Sequence, residues 1–245
     1  MPNDYFGEQI AERYDDTSAD MFKPAQVNPV ADFLAELATD GTALELGIGT
    51  GRIALPLAQR GIRVHGIDLS EAMVARLRAK PGGDQITVTI GDFATTRVAG
   101  PFSVAYLVFN TIMNLTTQDE QVACFQNVAD HLAPGGCFVI EVGVPDLQRL
   151  PPGETIRAFT VTDSRLGFDE YDIAGQGLVS HHYWIRDGKL EVFSPPFRYV
   201  WPAELDLMAR LAGMSLRERW SDWNREPFTS DSTKHVSVWQ KPASP

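Results

Sequence analysis

Cysteine is nearly absent from this chain. Its two thiols, Cys124 and Cys137, fall in apolar-periodic segments, which reads as two buried free thiols and excludes a disulfide framework. No cysteine or histidine stands at metal-ligand spacing, so no metal is expected. Cations are scarce: 21 Lys and Arg stand against 32 Asp and Glu, a formal net charge of −11. A broad nucleic-acid face needs clustered Lys and Arg, so nucleic acid is not an expected partner. No run approaches the roughly 20 apolar residues of a membrane span. The acidic segment 1–20 carries no apolar signal core. A cytoplasmic enzyme with no membrane contact is the simplest remaining class. Repeats and low-complexity stretches are absent too, and only residues 242–245 read as a loose tail.

What is present is 245 residues with 44% hydrophobic content, enough for one domain with a sizeable core and one large insertion. The organising stretch is Leu44-Glu45-Leu46-Gly47-Ile48-Gly49-Thr50-Gly51-Arg52. The apolar run 43–46 reads as a buried strand, and 53–60 as a helix. A strand, a glycine turn and a helix N-terminus form a nucleotide-binding element. A dinucleotide turn wants Gly-x-Gly-x-x-Gly. Here the third glycine, Gly51, comes one residue early, and Arg52 fills its slot. Glu45 precedes the turn; a carboxylate there repels a pyrophosphate and holds a cationic ligand. Both features count against an NAD-dependent dehydrogenase.

The segments on either side fit one alternating pattern. Val27, Val30, Leu34, Leu37 and Ala38 mark one face of a helix that Gly41 ends. Residues 62–68 read as a second strand closing on Asp68, 17 residues beyond Gly51, where nucleotide folds place a ribose carboxylate. Ser70 caps a helix over 71–78 with Met73 on its inner face. Residues 86–90 form a third strand, followed by Gly91-Asp92-Phe93, and 102–109 a fourth, followed by Asn110, Thr111, Met113 and Asn114. Ligands of open parallel sheets bind beyond the carboxyl ends of strands. Phe109 and Asn110 should therefore border the cofactor, and Met113 and Asn114 the acceptor. A helix over 117–132 buries Val122, Phe125, Val128, Ala129 and Leu132; His131 beside that stripe reads as structural. Ala133-Pro134-Gly135-Gly136 breaks it before a fifth strand over 137–142.

Glu-Leu-Gly-x-Gly-Thr-Gly, the two strand-end acids and Leu-x-Pro-Gly-Gly before an apolar strand together resemble class I S-adenosylmethionine (SAM) methyltransferases across residues 43–143. The resemblance implies an α/β, Rossmann-like three-layer sandwich. Its seven-stranded, mainly parallel sheet runs in the order 3-2-1-4-5-7-6, the seventh strand antiparallel. It implies SAM as cofactor and S-adenosylhomocysteine (SAH) as product. Gly47, Gly49 and Gly51 would lie along the amino acid end, with Glu45 offsetting its ammonium. Asp68 would accept the ribose hydroxyls, Asp92 the adenine amino group, and Phe93 would pack on the ring. Leu69 and Met73 complete that set. Tyr14 and Phe109 would face the sulfonium. Segment 1–25 would be a lid carrying Tyr5 and Tyr14-Asp15.

Residues 154–200 change character. Alternating segments over 155–162, 167–174, 178–186 and 189–200, with a hairpin turn at Asp187-Gly188, predict an antiparallel insert. His181, Tyr183 and Ile185 share one face; His182, Trp184 and Arg186 share the other. Phe197, Tyr199 and Trp201 align in its last segment. The resemblance makes this insert a cover for the acceptor, with a homodimer through it as a further option. A helix from Pro202 to Gly213, then strands over 216–223 and 235–241, close the sheet.

Methyl transfer from a sulfonium needs a nucleophile held in line about 3 Å from the methyl carbon, with water excluded. A neutral amine needs positioning; a hydroxyl usually needs a base. His181 and His182 are the candidate bases, with Tyr14 and Tyr5 as assistants, and Tyr5, Asn110, Met113, Asn114 and Tyr183 the candidate acceptor contacts. No Asn-Pro-Pro-Tyr motif is present, which counts against adenine or glutamine amides. The pattern resembles amino-sugar and antibiotic-tailoring N-methyltransferases acting on small molecules. O-methylation with a histidine base and a non-catalytic SAM-binding scaffold remain as alternatives.

Overall fold

The computed structural model describes residues 6–38, 41–186 and 188–243. Two sheets organise it. In the main sheet, β1 (Thr42–Leu46), β2 (Arg63–Asp68), β3 (Thr87–Ile90), β4 (Phe102–Leu107) and β5 (Leu132–Gly143) run parallel, in the order β3-β2-β1-β4-β5. The hairpin β11 (Ser215–Trp220) and β12 (Lys234–Gln240) extends it, with β12 antiparallel to both neighbours. This is the expected strand order.

The central strands β1, β4, β5 and β12 are buried on both sides, so their alternate side chains feed two cores. Leu44, Leu46, Ala105, Leu107, Phe138 and Ile140 face one core with Phe125, Val128, Leu205 and Met208. These last four come from α5 (Gln118–His131) and α6 (Pro202–Leu211). Ala43, Val104, Tyr106, Val139 and Val238 face the other with Phe33, Leu34, Leu57 and Leu77. Those come from α2 (Pro24–Leu37), α3 (Ala54–Gln59) and α4 (Glu71–Arg78). An N-terminal helix, α1 (Glu8–Thr17), packs beside α4. Strand order reverses between β1 and β4, which opens the binding crevice at their carboxyl ends.

The second sheet is the insert. It comprises β6 (Ile156–Val161), β7 (Arg165–Asp172), β8 (Gly177–Arg186), β9 (Lys189–Phe193) and β10 (Pro196–Arg198). All pairs are antiparallel, with β9 and β10 end to end along one edge of β8.

Some boundaries differ from the sequence reading. The fourth strand stops at Leu107, because Phe109 and Asn110 take φ of 55° and 62°, which no strand accommodates. Pro134-Gly135-Gly136 lies inside β5, which begins at Leu132 directly after α5. Residue 133 precedes a proline and is driven to extended backbone. The row Phe197, Tyr199, Trp201 is not a strand face: β10 ends at Arg198, Tyr199 is buried, and Trp201 is the N-cap of α6. Both cysteines are buried free thiols, and His131 is structural. Its Nε2 accepts from Val98 N–H at 3.0 Å and its Nδ1–H meets Asn127 O at 2.7 Å.

Candidate active site

The glycine turn is built at the carboxyl end of β1. Gly51 has φ of 80°, and a Cβ there would collide with Leu77 Cδ1 of α4. Gly49 has φ of 53°, and a Cβ there would meet nothing within 4 Å. Gly51 is thus glycine for packing, whereas Gly49 borders open space where a ligand can approach the backbone. Gly49 N–H also donates to Asp68 Oδ2 at 2.7 Å, and Ser70 N–H to Asp68 Oδ1 at 2.8 Å. Those bonds clamp the turn to the end of β2. Burial raises the Asp68 pKa against the pull of the Ser70, Gly49 and Leu69 amides.

Glu45 is 3% exposed and takes a 2.8 Å hydrogen bond from Tyr106 OH. Burial pushes its pKa up to about 8; the Tyr106 hydroxyl and the nearby Arg52 guanidinium oppose the rise, and the Asp68 charge adds to it. Arg52 also lies 5.4 Å above the Phe109 ring. Tyr14 comes to the same place from α1. Burial raises its phenol pKa, Arg52 lowers it, and Asp15 and Asp68 raise it further. Tyr14, Glu45, Arg52 and Asp68 therefore surround one space.

The arm that carries Tyr14 is tied to the turn. Thr50 Oγ1 donates to Asp15 Oδ1 at 2.6 Å, Lys80 Nζ pairs with Asp15 Oδ2 at 2.5 Å, and the same ammonium donates to Thr50 O at 2.8 Å. Ser70 Oγ donates to Phe6 O at 2.6 Å. Tyr5 lies outside the described residues.

Past the end of β2, Leu69 is 46% exposed beside Asp68, while Met73 is buried. Asp92 Oδ1 accepts from Ala94 N–H at 2.8 Å. Phe93 is buried in the core beneath Gly47, so its ring supports the turn from below. Phe109, 44% exposed, is held by Glu141 Oε2, which accepts its N–H at 3.1 Å. Asn110 Oδ1 accepts from Gly143 N–H at 2.7 Å, so this oxygen joins the β4 and β5 ends. Met113 packs against the core at its edge, and Asn114 is half-buried.

The insert is anchored at both ends. At its root, Arg157 of β6 meets Asp146 just past β5 at 3.4 Å, and Arg198 meets Glu204 of α6 at 2.7 Å. At its tip, Glu191 of β9 meets Arg13 of α1 at 3.3 Å. It is therefore tied to the main domain just past β5, at α6 and at α1. Arg157, Asp169, Ser180, His182, Trp184 and Glu191 share its inner, partly buried face by strand register. Ile156, Val161, Leu166, Ile185, Leu190 and Val192 are exposed on the outer face.

Strand alternation thus separates the two histidines. His181 is on the outer face, stacked on Phe168 at 4.7 Å, with Nδ1 3.0 Å from Ser194 Oγ and Nε2 3.2 Å from Glu170 Oε2. Tyr183 shares that face, stacked on the same Phe168 ring at 5.9 Å. His182 lies on the opposite, inner face, and burial followed by Arg165 and His181 lowers its pKa. Sequence reasoning gave no role to Arg52, which lies near Glu45 and Tyr14, or to Lys80, which ties Asp15 to Thr50. Arg52 was visible in the motif itself; Lys80 carries no local signal.

The geometry fits a cationic nucleoside. The open space over Gly49, the buried Glu45 and the exposed Leu69 and Phe109 provide a backbone cradle, a counter-charge and apolar contacts. The profile of the methyltransferase domain family matches residues 43–136. The CcbJ methyltransferase from Streptomyces caelestis is 38% identical, over all of both chains, with a TM-score of 0.87. The chain belongs to the SAM-dependent methyltransferases. Its cofactor is SAM, and the likeness runs through the N-terminal arm and the insert of this methyltransferase. The cypemycin N-terminal methyltransferase of a Streptomyces species is 28% identical across 93% of this chain and 97% of that protein. A dTDP-3-amino-3,4,6-trideoxy-alpha-D-glucopyranose N,N-dimethyltransferase of Streptomyces venezuelae is 27% identical over 48% of this chain and 49% of that protein. Among the described residues no group of His, Cys, Asp and Glu is placed to hold a metal, and no helix is long and apolar enough to cross a membrane.

Proposed function

We propose that this methyltransferase acts on an amine of a small-molecule or short peptide acceptor. The observation that carries this reading is its likeness, along nearly the whole chain, to a protein named for methylating an N-terminus. The partial likeness to an amino-sugar N,N-dimethyltransferase points the same way.

Bound SAM supplies a methyl group on a sulfonium, open to in-line displacement. The chain contributes placement and electrostatics. Glu45 offsets the ammonium of the amino acid end, and Arg52 takes its carboxylate. Asp68 keeps lone pairs for the ribose hydroxyls after accepting two backbone amides. Leu69 and Asp92 contact the adenine, with Met73 and Phe93 as the packed floor. The rings of Tyr14 and Phe109 face the sulfonium; they favour a cation and lose that preference for a neutral thioether. Met113 and Asn114 border the acceptor under the insert, which excludes water. His182 is the imidazole of the insert's inner face.

The test is calorimetric titration with SAH, followed by mass analysis after incubation with SAM and two probes, a short peptide with a free α-amine and its N-acetylated form. One-to-one SAH binding and a 14 Da gain on the free amine alone, about one methylene, are expected. Gain on a hydroxyl of the acetylated peptide instead would overturn the amine reading.

A further inference from the structure

Glu141 is the one charged residue in the apolar run 137–142 of β5. Ile140 and Val142 on either side of it feed the core under α5 and α6. Strand alternation sends the Glu141 side chain to the other sheet face, the one that carries Ile48 of the glycine turn. Its Oε2 accepts the Phe109 N–H at 3.1 Å, and its main-chain oxygen accepts the Asn110 N–H, also at 3.1 Å. Both amides of the left-handed pair at the end of β4 thus go to one residue. The other carboxylate oxygen, Oε1, takes Lys234 Nζ at 3.3 Å. A bulky aromatic residue at φ of 55° is a backbone outlier, and Asn110 follows it at 62°. Such conformations persist where the surroundings over-determine them, and they gather at ligand sites. Here the turn carries the Phe109 ring to 5.4 Å from the Arg52 guanidinium. It also sets Thr111 Cγ2 so near Gly47 that a Cβ on that glycine would lie 2.7 Å from it. The end of β4 therefore meets both the first glycine of the cofactor turn and Arg52 at its far end.

We propose that Glu141 is a positioning residue for SAM: through the Phe109 amide it holds the left-handed turn, and so keeps the Phe109 ring at the sulfonium. This rests on the reading above in which Phe109 faces that cation. A carboxylate only accepts, so Glu141 meets the Phe109 N–H with one oxygen and the Lys234 ammonium with the other. Its bond to the amide is charge-assisted and stronger than a neutral one. Released from it, the backbone can leave the left-handed well. The ring leaves with it, because the rotamers open to a side chain depend on φ and ψ. An aromatic face attracts a cation more than a neutral thioether, so a displaced ring costs SAM more than SAH. Glu141 acts through Phe109 and not on the cofactor itself.

The experiment measures SAM and SAH dissociation constants by calorimetry for the full chain and for E141A, E141Q, E141D, F109A and the double variant E141A/F109A. E141A should weaken SAM about tenfold, the range of a hydrogen bond to a charged group, and SAH less. E141Q still offers an oxygen to the Phe109 N–H and should stay within about threefold of the unmodified chain. E141D keeps the charge but draws it back by one methylene, and should lose as much as E141A. In the F109A background, E141A should add no more than about a twofold loss, since both substitutions remove the same ring. Losses that multiply in the double variant would overturn the proposal. So would full SAM affinity in E141D together with a large loss in E141Q, the pattern of a direct counter-charge. Those two variants decide the matter even where E141A does not fold. Failure of the Phe109 reading looks different: F109A then weakens SAM and SAH equally, and the double variant decides the positioning role by itself.

Discussion

The Asp15 carboxylate accepts the Thr50 hydroxyl at 2.6 Å, which joins the N-terminal arm to the middle of the glycine turn. Lys80 completes the latch by pairing with Asp15 and donating to Thr50 O. The arm bearing Tyr14 is therefore held against the cofactor loop rather than resting on the domain. Asp15→Ala should free it. Because the Lys80–Asp15 pair is partly exposed, a loss of about 1 kcal/mol or less is expected from it. The visible effect should be faster SAH dissociation, by about five- to tenfold in stopped-flow displacement, with a nearly unchanged melting temperature. An unaltered off-rate would separate the latch from cofactor retention.

Glu45 makes the stability and the binding depend on pH in opposite senses. Its folded pKa of about 8 stands above the ordinary 4.5 because of burial. The folded state then holds this proton more tightly than the unfolded chain. The associated stability is present below pH 4.5 and is lost as pH rises through about 8. Glu45→Gln should therefore raise the melting temperature more at pH 8 than at pH 5, by an amount worth on the order of a few kcal/mol at most. It should also weaken SAH binding. In the unmodified chain, an ammonium beside Glu45 favours the carboxylate, so SAH binding at pH 7 should release a proton. Calorimetry in buffers of different ionisation enthalpy measures that release directly.

Two glycines of one turn should fail in different ways. Gly51→Ala introduces strain at φ 80° and a collision with Leu77, so a lower melting temperature is expected. Gly49→Ala meets open space and only the strain of φ 53°. Its fold should survive, with a loss of about 1–3 kcal/mol, while SAH binding weakens far more than stability does. Thermal melts paired with calorimetry distinguish the two.

Asp68→Ala should lower SAH affinity by tenfold or more, about 1.4 kcal/mol, since it removes the ribose acceptor and unclamps Gly49 and Ser70. Asp68→Asn retains an acceptor and should lose less. Equal affinity in Asp68→Ala and the unmodified chain would remove the ribose assignment.

Legibility in the sequence followed locality. The turn from Glu45 to Arg52, Asp68 at the end of β2 and the Ser70 cap are each made by residues near in the chain, and all were readable there. The end of β4 was not. Nothing local announces the left-handed Phe109 and Asn110, because their conformation is held by Glu141 and Gly143 of β5. Arg52 was visible and unassigned, since its role depends on Phe109, Glu45 and Tyr14 arriving from three other segments.

For the insert, strand alternation divided His181 and Tyr183 from His182 and Trp184 but did not say which pair looks inward. Two distant ion pairs settle it, Arg157–Asp146 at the root and Arg13–Glu191 at the tip. The sequence by itself determined the sheet elements, the cofactor turn and the class of cofactor, because hydrophobic period and glycine spacing act over a few residues. Only the tertiary structure decided the latch on Thr50 and the partners of each histidine. Those depend on side chains brought together from separate strands and helices, and that choice belongs to docking and register rather than to local pattern.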